Sequence, residues 1–279
     1  MNHRHSIRFV RKTFFFLLSI ILLSCSHPQR EIGKSLDLGK WDEAAVEQLL
    51  ATATGIDDPG ERVAFLSAAF LTTPYQADTL IGSADIAEVF VLRLDAVDCF
   101  TFLDYIEALR RSSNYREFVA HLHDVRYQQG QVDFLSRNHF FSLWGNTPLA
   151  PLRDVTAKIG GKRTCWVIKH LNQNTEGTLF LPGYPVKKQV VAFIPGGAVD
   201  KTIVSRLHTG DYIGIYSSNP GLDVSHTGIV IKKGETAFLR HASSKWLRKR
   251  VRDVKLLPYL AGKKGLVVYR PQAIDSLHQ

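Results

Sequence analysis

The hydrophobic pattern changes its period near residue 164, and this change constrains the fold more than any other feature. Before it, apolar residues recur at helical spacing in segments that begin near Trp41, Pro59 and Tyr115. After it come short β-type runs separated by turn residues, at 165–168, 190–194, 212–216, 227–231, 236–239 and 265–269. Helices followed by strands are typical of the α+β class. We therefore predict a helical N-terminal half packed on a C-terminal antiparallel sheet or barrel.

Residues 1–24 are predicted to be a signal peptide of the lipoprotein type. Basic residues precede an apolar block from Thr13 to Leu23, which is too short to span a bilayer comfortably. The block ends at Cys25 in a stretch that resembles a bacterial lipobox, so Cys25 is the expected lipidation site and residues 25–40 the tether. A simple signal peptide or an uncleaved anchor is the alternative. We expect a periplasm-facing lipoprotein of the bacterial envelope, or otherwise a secreted or periplasmic soluble protein.

The remaining chain, residues 41–279, is predicted to form a single domain. The whole sequence of 279 residues is 45% hydrophobic, which provides an ample core, and its formal charge is +9. Part of that charge lies in the signal peptide, and the moderate excess that remains suits anionic envelope polymers. Nucleic acid is not an expected partner, because no basic motif with interleaved aromatic residues occurs. The dense basic run at 245–252 is typical of a solvated strand or loop face.

Cys99 is the candidate nucleophile. It follows the apolar run 89–92 and opens a predicted helix, so it lies at a strand-to-helix corner. The unpaired N–H groups and the positive dipole end of a helix favour the thiolate, which is the reactive form of cysteine. Two plainer interpretations remain open. Cys99 can be a buried apolar residue, or it can form a disulfide with Cys165, which we otherwise predict to be a buried core thiol.

Two histidines are candidates for the base that a thiol nucleophile needs and for the group that orients this base. His226 precedes a β-type run, a Lys-Lys-Gly-Glu turn follows, and the return strand ends at His241. Side chains on paired strands can be spatial neighbours, so one imidazole can take the thiol proton while the other fixes its tautomer. His241 can instead be a core histidine, and Asp223 can assist His226 or simply form a turn.

No metal site or cofactor is predicted. The eleven histidines include no His-Glu-x-x-His motif, and no paired Cys-x-x-Cys occurs. His121 and His123 diverge on a helix, so we interpret them as solvated helix surface.

Motifs along most of the chain, from roughly residue 66 to 270, resemble those of NlpC/p60 cysteine peptidases of bacterial cell walls. The branch that the chain resembles most is called N-acetylmuramoyl-L-alanine amidase-like. The motifs that occur in the order seen in NlpC/p60 peptidases are Pro74-Tyr75, Asp98-Cys99, Gly210-Asp211-Tyr212-Ile213, His226-Thr227-Gly228-Ile229 and His241-Ala242. The motifs that suggest the branch are Asp98-Cys99-Phe100-Thr101-Phe102, Arg126-Tyr127, Ser136 to Phe141 with Trp144, and Gly221 to His226.

This resemblance implies a papain-like core in which Cys99 is the nucleophile, His226 the general base and His241 the polar orienting group. It also implies that Tyr75 and Asp98 line the site, where they can help to hold a free amine of a stem peptide. The plainer roles are a packed turn tyrosine for Tyr75 and a helix N-cap for Asp98.

Arg137 and His139 are further candidates for substrate binding, and their plainer role is to brace a loop. The usual Asp-Cys-Ser-Gly run of NlpC/p60 enzymes is here Asp98-Cys99-Phe100-Thr101, which suits the amidase-like branch. The implied function is hydrolysis of a muropeptide amide bond in peptidoglycan, by an N-acetylmuramoyl-L-alanine amidase or a stem-peptide endopeptidase. The alternatives are a thiol-dependent acyltransferase or deamidase of another amide, and an inactive wall-binding protein.

Overall fold

The computed structural model describes residues 34–146 and 152–273. The predicted signal peptide, Cys25 and the first part of the predicted tether lie outside these residues. Within them, no helix has the length and apolar character needed to cross a membrane. The helices are α1 (Glu43–Ala53), α2 (Pro59–Ala68), α3 (Cys99–Arg110), α4 (Tyr115–Arg126), α5 (Phe141–Trp144), α6 (Thr156–Gly160), α7 (Lys201–Ser205) and α8 (Leu256–Leu260).

The main sheet has eight strands, all paired in antiparallel fashion. Its strands follow the order β4-β5-β10-β6-β7-β8-β9, and β3 pairs with a further part of β10. Two other strands, β1 and β2, form a small parallel pair. The bounds are β1 (Lys34–Asp37), β2 (Phe90–Arg93), β3 (Leu152–Asp154), β4 (Cys165–Leu171), β5 (Lys187–Pro195), β6 (Tyr212–Tyr216), β7 (Val224–Lys233), β8 (Thr236–Ser243), β9 (Arg250–Lys255) and β10 (Gly265–Pro271).

The predicted combination of helices and an antiparallel sheet is confirmed. Every predicted β-type run lies within a strand, and the longer predicted helices correspond to α1 to α4. The second of these helices begins where the sequence indicates, with Pro59 in its first turn and the Asp58 side chain accepting a hydrogen bond from the Glu61 N–H at 2.8 Å. One difference concerns residues 34–37, which we assigned to the tether. They form β1, with Lys34 paired to Phe90.

The main sheet is covered on both faces. Ile229 and Ala242 contribute to one hydrophobic core together with α1 to α4, whereas Val230 and Leu239 contribute to a second core together with α6 to α8. Neighbouring residues of β7 thus enter opposite cores, as the two-residue period of a strand requires.

Buried ion pairs fix α3 in the first core. Glu107 and Arg110 pair at 2.7 Å, and the Tyr212 hydroxyl on β6 donates to Glu107 at 2.9 Å. Asp104 pairs with Arg126 of α4 at 3.0 Å. Removing one partner of such a pair leaves an uncompensated buried charge, at a cost of about 3–5 kcal/mol. The helix that begins at the candidate nucleophile is therefore held rigidly on the sheet.

Two sequence interpretations are wrong. Cys165 is exposed rather than buried, because it begins β4, the end strand of the sheet, and Cys99 and Cys165 are both free thiols. His121 and His123 are not solvated surface. The Nδ1 atom of His121 lies 2.9 Å from the Ser112 hydroxyl, and the His123 ring stacks on Phe90 with ring centroids 3.7 Å apart.

Candidate active site

Cys99 is the first residue of α3, at the strand-to-helix corner that the sequence predicts. Asp98 is the N-cap, and its Oδ1 atom accepts hydrogen bonds from the N–H groups of Phe100 at 2.8 Å and Thr101 at 2.7 Å. The Thr101 hydroxyl accepts in return from the Asp98 N–H at 3.0 Å, which completes a capping box. The N-cap role of Asp98 is thus present in the structure, and a substrate contact by its other oxygen is compatible with it.

The cap leaves one N–H group at the helix start without a partner. Asp98 takes the N–H groups of Phe100 and Thr101, whereas the Cys99 N–H makes no hydrogen bond to another described residue. An unsatisfied N–H group at a helix N-terminus can donate to an anion. The N–H of Cys99 is therefore the one available to stabilise an oxyanion next to its own sulfur.

A side chain of β7 holds the start of α3 on the sheet. The hydroxyl of Thr227 donates to the Cys99 carbonyl oxygen at 2.6 Å. Thr227 is the direct neighbour of His226, so this bond fixes the backbone of Cys99 relative to the strand that carries the imidazole.

The structure brings His226 and His241 together on β7 and β8. The Nε2 atom of His226 lies 2.7 Å from Nδ1 of His241, and the ring planes are nearly perpendicular at 89°. Gly228 makes this approach possible, since a Cβ atom at that position would lie 3.1 Å from His241 Cβ and 2.8 Å from the Arg240 carbonyl oxygen.

The contact between the rings determines the free nitrogen of His226. Its Nε2 atom is occupied by His241, whereas its Nδ1 atom makes no hydrogen bond within the described residues. For Nδ1 to accept a proton, Nε2 must carry the hydrogen and donate it to Nδ1 of His241. This arrangement is the one that a general base with an orienting partner needs. No hydrogen bond joins Cys99 Sγ to His226 in the described structure, so proton transfer requires the two groups to approach.

The pKa shifts indicate an uncharged pair at neutral pH. Burial, assisted by the carboxylate of Asp98, raises the pKa of the Cys99 thiol to about 11. Burial, with the positive charge of neighbouring groups, lowers the pKa of His226 to about 3 and that of His241 to about 4. The thiolate that the helix terminus favours is therefore not the resting form, because desolvation outweighs the helix dipole. A neutral thiol beside a neutral imidazole calls for general-base activation.

Two tyrosines flank the thiol and the histidines. The Tyr259 ring on α8 lies 5.2 Å from that of His241 and 6.3 Å from that of His226, measured between centroids. On the other side, the backbone of Tyr75 forms a bridge to Val97, two residues before Cys99. Burial raises the pKa of Tyr75, and the charges of Cys99 and Asp98 add to the effect. Both hydroxyls are therefore retained as donors at neutral pH.

A cavity of about 430 Å³ opens beside the N-terminus of α3. Asp98 and Phe100 contribute to its wall from the helix start, and Arg137 and His139 from the loop after α4. Each of these two loop residues also makes a polar contact within the protein. Arg137 donates to Glu88 at 3.1 Å, and His139 Nε2 lies 2.8 Å from the Phe134 carbonyl oxygen. Arg137 and His139 thus line the cavity, and these contacts also brace the loop; their role in substrate binding stays a prediction.

The cavity wall contains buried polar atoms that lack a partner among the described residues. They are Oγ1 of Thr79, Nη2 of Arg126 and Oδ1 of Asn138. The remaining groups of Arg126 are used, because it donates to Asp104 and to the Val91 carbonyl oxygen. A buried polar group without a partner costs about 1–3 kcal/mol, so a bound molecule that supplies partners gains affinity here.

Comparison with known proteins identifies the family. The profile of the N-acetylmuramoyl-L-alanine amidase-like family matches residues 65–266. The chain belongs to this amidase-like family. Its structure is similar to that of an N-acetylmuramoyl-L-alanine amidase from Bacteroides uniformis, at 25% identity and a TM-score of 0.65, over 77% of this chain and 99% of the other.

Two further solved structures are similar to this amidase-like chain. A Legionella pneumophila protein shares its fold at 22% identity and a TM-score of 0.69, over 83% of this chain and 96% of the other. A Bacteroides fragilis protein, provisionally described as a xylanase, is 28% identical with a TM-score of 0.61, over 74% and 98% of the two chains. The search of curated proteins found no match.

Some residues of the amidase-like site could not be found from the sequence. Thr227 lies within a quoted motif, but only the fold shows its bond to Cys99. Tyr259 carried no signal for a role, since its neighbours come from distant parts of the chain, and Asn138 was indicated only as part of the motif from Ser136 to Phe141. Asp223 does not contact His226. It is buried, and its carboxylate accepts from the N–H groups of Ser142 and Val224 at 2.6 and 2.7 Å, so the turn interpretation describes it.

No metal site accompanies these residues in the part of the chain that the structure describes, where no group of three or more His, Cys, Asp or Glu side chains is placed to hold an ion.

Proposed function

We propose that this protein is a cysteine amidase of peptidoglycan, related to the NlpC/p60 peptidases and built on a papain-like core. The observation that carries the proposal is the 2.7 Å contact between Nε2 of His226 and Nδ1 of His241, which leaves Nδ1 of His226 free on the strand that is bonded to Cys99 through Thr227. A nucleophile, a base and an orienting group are the three parts of an acyl-transfer site.

The proposed reaction begins when Sγ of Cys99 attacks the amide carbonyl carbon. The thiol proton passes to Nδ1 of His226 during the attack, because neither group is charged beforehand. The carbonyl oxygen becomes an oxyanion, which accepts a hydrogen bond from the Cys99 N–H. Such a donor is commonly worth about 3 kcal/mol in the transition state.

The tetrahedral intermediate then loses its amine. The C–N bond breaks, His226 gives its proton to the leaving nitrogen, and the acyl group remains on Cys99 as a thioester. Water next attacks the thioester while His226 takes its proton, and the departing sulfur recovers that proton. This sequence balances without a metal, a cofactor or a redox partner.

The bond that we propose first is the amide between the lactyl group of muramic acid and L-alanine. Family membership and the Bacteroides uniformis relative favour this bond over a peptide bond within the stem. The description of the Bacteroides fragilis relative as a xylanase is not carried over. The amidase-like family profile, which matches residues 65–266, supports an amidase rather than this activity.

Defined muropeptides provide the test. The purified full chain and its Cys99→Ala variant are incubated with them, and mass spectrometry identifies the products. Release of the intact stem peptide by the wild type alone supports the amidase. Cleavage inside the stem, again by the wild type alone, identifies an endopeptidase. Wild-type rates in a correctly folded Cys99→Ala protein contradict the cysteine mechanism. A wild type that cleaves nothing favours an acyltransferase, a deamidase or a wall-binding protein.

We also propose that Cys25 is lipidated and anchors the protein to a membrane of the bacterial envelope. The support is the sequence of the segment that precedes Cys25. Metabolic labelling with a fatty acid, with a Cys25→Ser variant as control, tests this proposal. Label on the wild type alone supports the anchor, and label on neither protein contradicts it.

A further inference from the structure

Five cationic side chains, four within residues 245–252 and one at residue 263, are not neutralised. We call this set the basic strip. Within residues 34–146 and 152–273, none of its members forms a salt bridge to a carboxylate. The acid on the same strand, Asp253, is already bound by Arg240 at 2.8 Å. The members of the basic strip are Lys245, Arg248, Arg250, Arg252 and Lys263.

Strand register places part of the basic strip next to His241. In the pairing of β8 with β9, His241 lies opposite Arg252, and Ser243 lies opposite Arg250. Opposed residues of antiparallel strands project from the same face of the sheet. The guanidinium groups of Arg250 and Arg252 are therefore on the face that carries the His241 imidazole.

Lys263 approaches the same face from the connection after α8. Its Nζ atom lies 5.1 Å from the centroid of the Tyr259 ring, and that ring lies 5.2 Å from His241. The charges of Arg252, Lys245 and Lys263 also contribute, after burial, to the lowered pKa of His241. Strand register, ring contact and electrostatics thus agree on the position of the basic strip.

The basic strip is also near the candidate nucleophile. Pro74 pairs with Arg250 on one side, and Tyr75 pairs with Val97 on the other. Only one chain segment therefore separates β9 from the residues that precede Cys99. The distance from β9 to the residues before Cys99 is therefore two backbone spacings, or about 10 Å. A few residues of an extended peptide can span this distance.

The cavity beside the N-terminus of α3 has the reverse charge. The cavity beside α3 is lined by Asp78, Asp85 and Asp98, and its two arginines are paired with Asp104 and Glu88. The charge of the cavity wall is therefore opposite in sign to that of the basic strip. A substrate with an anionic part and an uncharged or amine-bearing part is oriented by such a field.

We propose that the basic strip binds the free carboxylates of the stem peptide, so that the peptide side of the scissile amide lies along β9 and the sugar side in the cavity. This inference rests on the proposed function and names the part of the substrate that each side recognises. Arginine is well suited to the task, because its guanidinium group binds carboxylates in bidentate fashion.

An anionic membrane is the competing partner for a basic surface. Leu247, within the same run, is 89% exposed, as a residue that contacts lipid would be. We favour the peptide because Arg252 lies opposite His241 and Lys263 contacts Tyr259, so the basic strip adjoins the histidine pair itself.

The test measures binding separately from catalysis. All proteins are full chains that carry Cys99→Ala, and the probes are a muropeptide with free stem carboxylates and the same molecule with those carboxylates amidated. The strip variant adds Arg250→Gln and Arg252→Gln. The matched control adds Lys187→Gln and Lys188→Gln, which removes the same charge from β5, a strand far from β9 in the sheet order.

We expect the strip variant to weaken binding of the free-carboxylate muropeptide by about tenfold and to leave the amidated one within twofold. The Lys187/Lys188 control should stay within twofold for both, and Arg252→Lys should retain most of the affinity. Equal losses for the two probes, unchanged binding, or no binding of either probe would overturn the proposal. Loss of binding to anionic vesicles with unchanged muropeptide affinity would assign the basic strip to the membrane instead. Cleavage by wild-type protein is scored separately, so a failure of the proposed function remains distinguishable.

Discussion

The Nε2 atom of His226 and the Nδ1 atom of His241 lie 2.7 Å apart, with the two rings nearly perpendicular. A second imidazole can accept a hydrogen bond through one nitrogen while remaining neutral, unlike the carboxylate that serves this role in many hydrolases. Cationic side chains lie near this pair, so a carboxylate in the place of His241 would form an ion pair with them in the resting protein. A neutral imidazole avoids this. In the proposed mechanism, His241 would therefore orient His226 without adding charge to the site.

Replacing His241 tests this orienting role. His241→Ala removes the acceptor of the His226 Nε2–H, so we expect kcat on a muropeptide to fall by roughly 10²-fold with little change in KM. His241→Asn supplies a carbonyl oxygen near the same position and should recover a substantial part of the rate. Equal rates for the two variants would show that the hydrogen bond is unimportant, whereas a raised KM alone would indicate a role in binding.

The raised pKa of Cys99 predicts an unusual pH dependence for its alkylation. With a pKa of about 11, the thiolate fraction rises about tenfold per pH unit throughout the neutral range. In a background that carries Cys25→Ser and Cys165→Ser, so that Cys99 is the one thiol in the sequence, the rate of labelling by iodoacetamide should increase accordingly from pH 6 to 9. His226→Ala should change this rate little, because the resting imidazole is uncharged. A rate that is already constant at pH 6 would instead indicate a preformed thiolate–imidazolium pair.

Replacing Asp98 separates its capping from its charge. Asp98→Ala removes the acceptor for the N–H groups of Phe100 and Thr101, so the free energy of unfolding should fall by about 1–2 kcal/mol. Asp98→Asn keeps an acceptor but removes the charge that raises the Cys99 pKa, and it should speed alkylation at a given pH while retaining most of the stability. Urea unfolding and alkylation rates measure the two effects. If both variants alkylate at the wild-type rate, the carboxylate does not influence the thiol.

The sequence was sufficient for the architecture because the hydrophobic period reports directly on burial. The short β-type run of 227–231, bounded by turn residues, and the capping signal at Asp98 are local features, and the strand β7 and the start of α3 follow from them. The order of motifs then indicated that Cys99, His226 and His241 belong together, although they are distant in the chain.

Non-local packing could not be predicted in the same way. Whether Cys165 is buried or exposed depends on the position of its strand in the sheet. Cys165 is exposed because β4 is an end strand. The raised pKa that burial gives to the Cys99 thiol depends on residues that fold around it. The position of Tyr259 beside both histidines depends on α8, a five-residue helix without a cap of its own.

Gly228→Ala is expected to disturb the histidine pair from within the sheet. Its new Cβ atom would meet the Leu239 Cδ1 atom at 2.5 Å and the Arg240 carbonyl oxygen at 2.8 Å, so β8 must move. We expect a loss of about 1–3 kcal/mol in stability, together with a lower kcat. Gly197→Ala is the control, because a Cβ atom there meets nothing within 4 Å and should be nearly neutral. Similar melting temperatures for the two variants would contradict this account.

Buried neutral histidines should also make the fold sensitive to acid. Burial lowers the pKa of His139 to about 4, with similar values for His226 and His241, whereas an unfolded histidine has a pKa of about 6.5. As the pH falls from about 6.5 to 4, the unfolded chain binds protons that the folded chain does not, so stability decreases. Each such histidine contributes up to about 1.4 kcal/mol per pH unit to this slope.

His139→Phe tests this contribution at a position away from the histidine pair. The unfolded variant lacks one of the groups that take up a proton. Between pH 6 and 5, the free energy of unfolding should therefore decrease with falling pH less steeply in the variant than in the wild type, by about 1 kcal/mol per pH unit. Above pH 8 the difference between the two proteins should be constant, since histidine is then neutral in both states. Urea denaturation at each pH gives both quantities. Parallel curves for wild type and variant across the acidic range would mean that His139 is protonated in the folded protein, which its position between Phe134 and Tyr184 argues against.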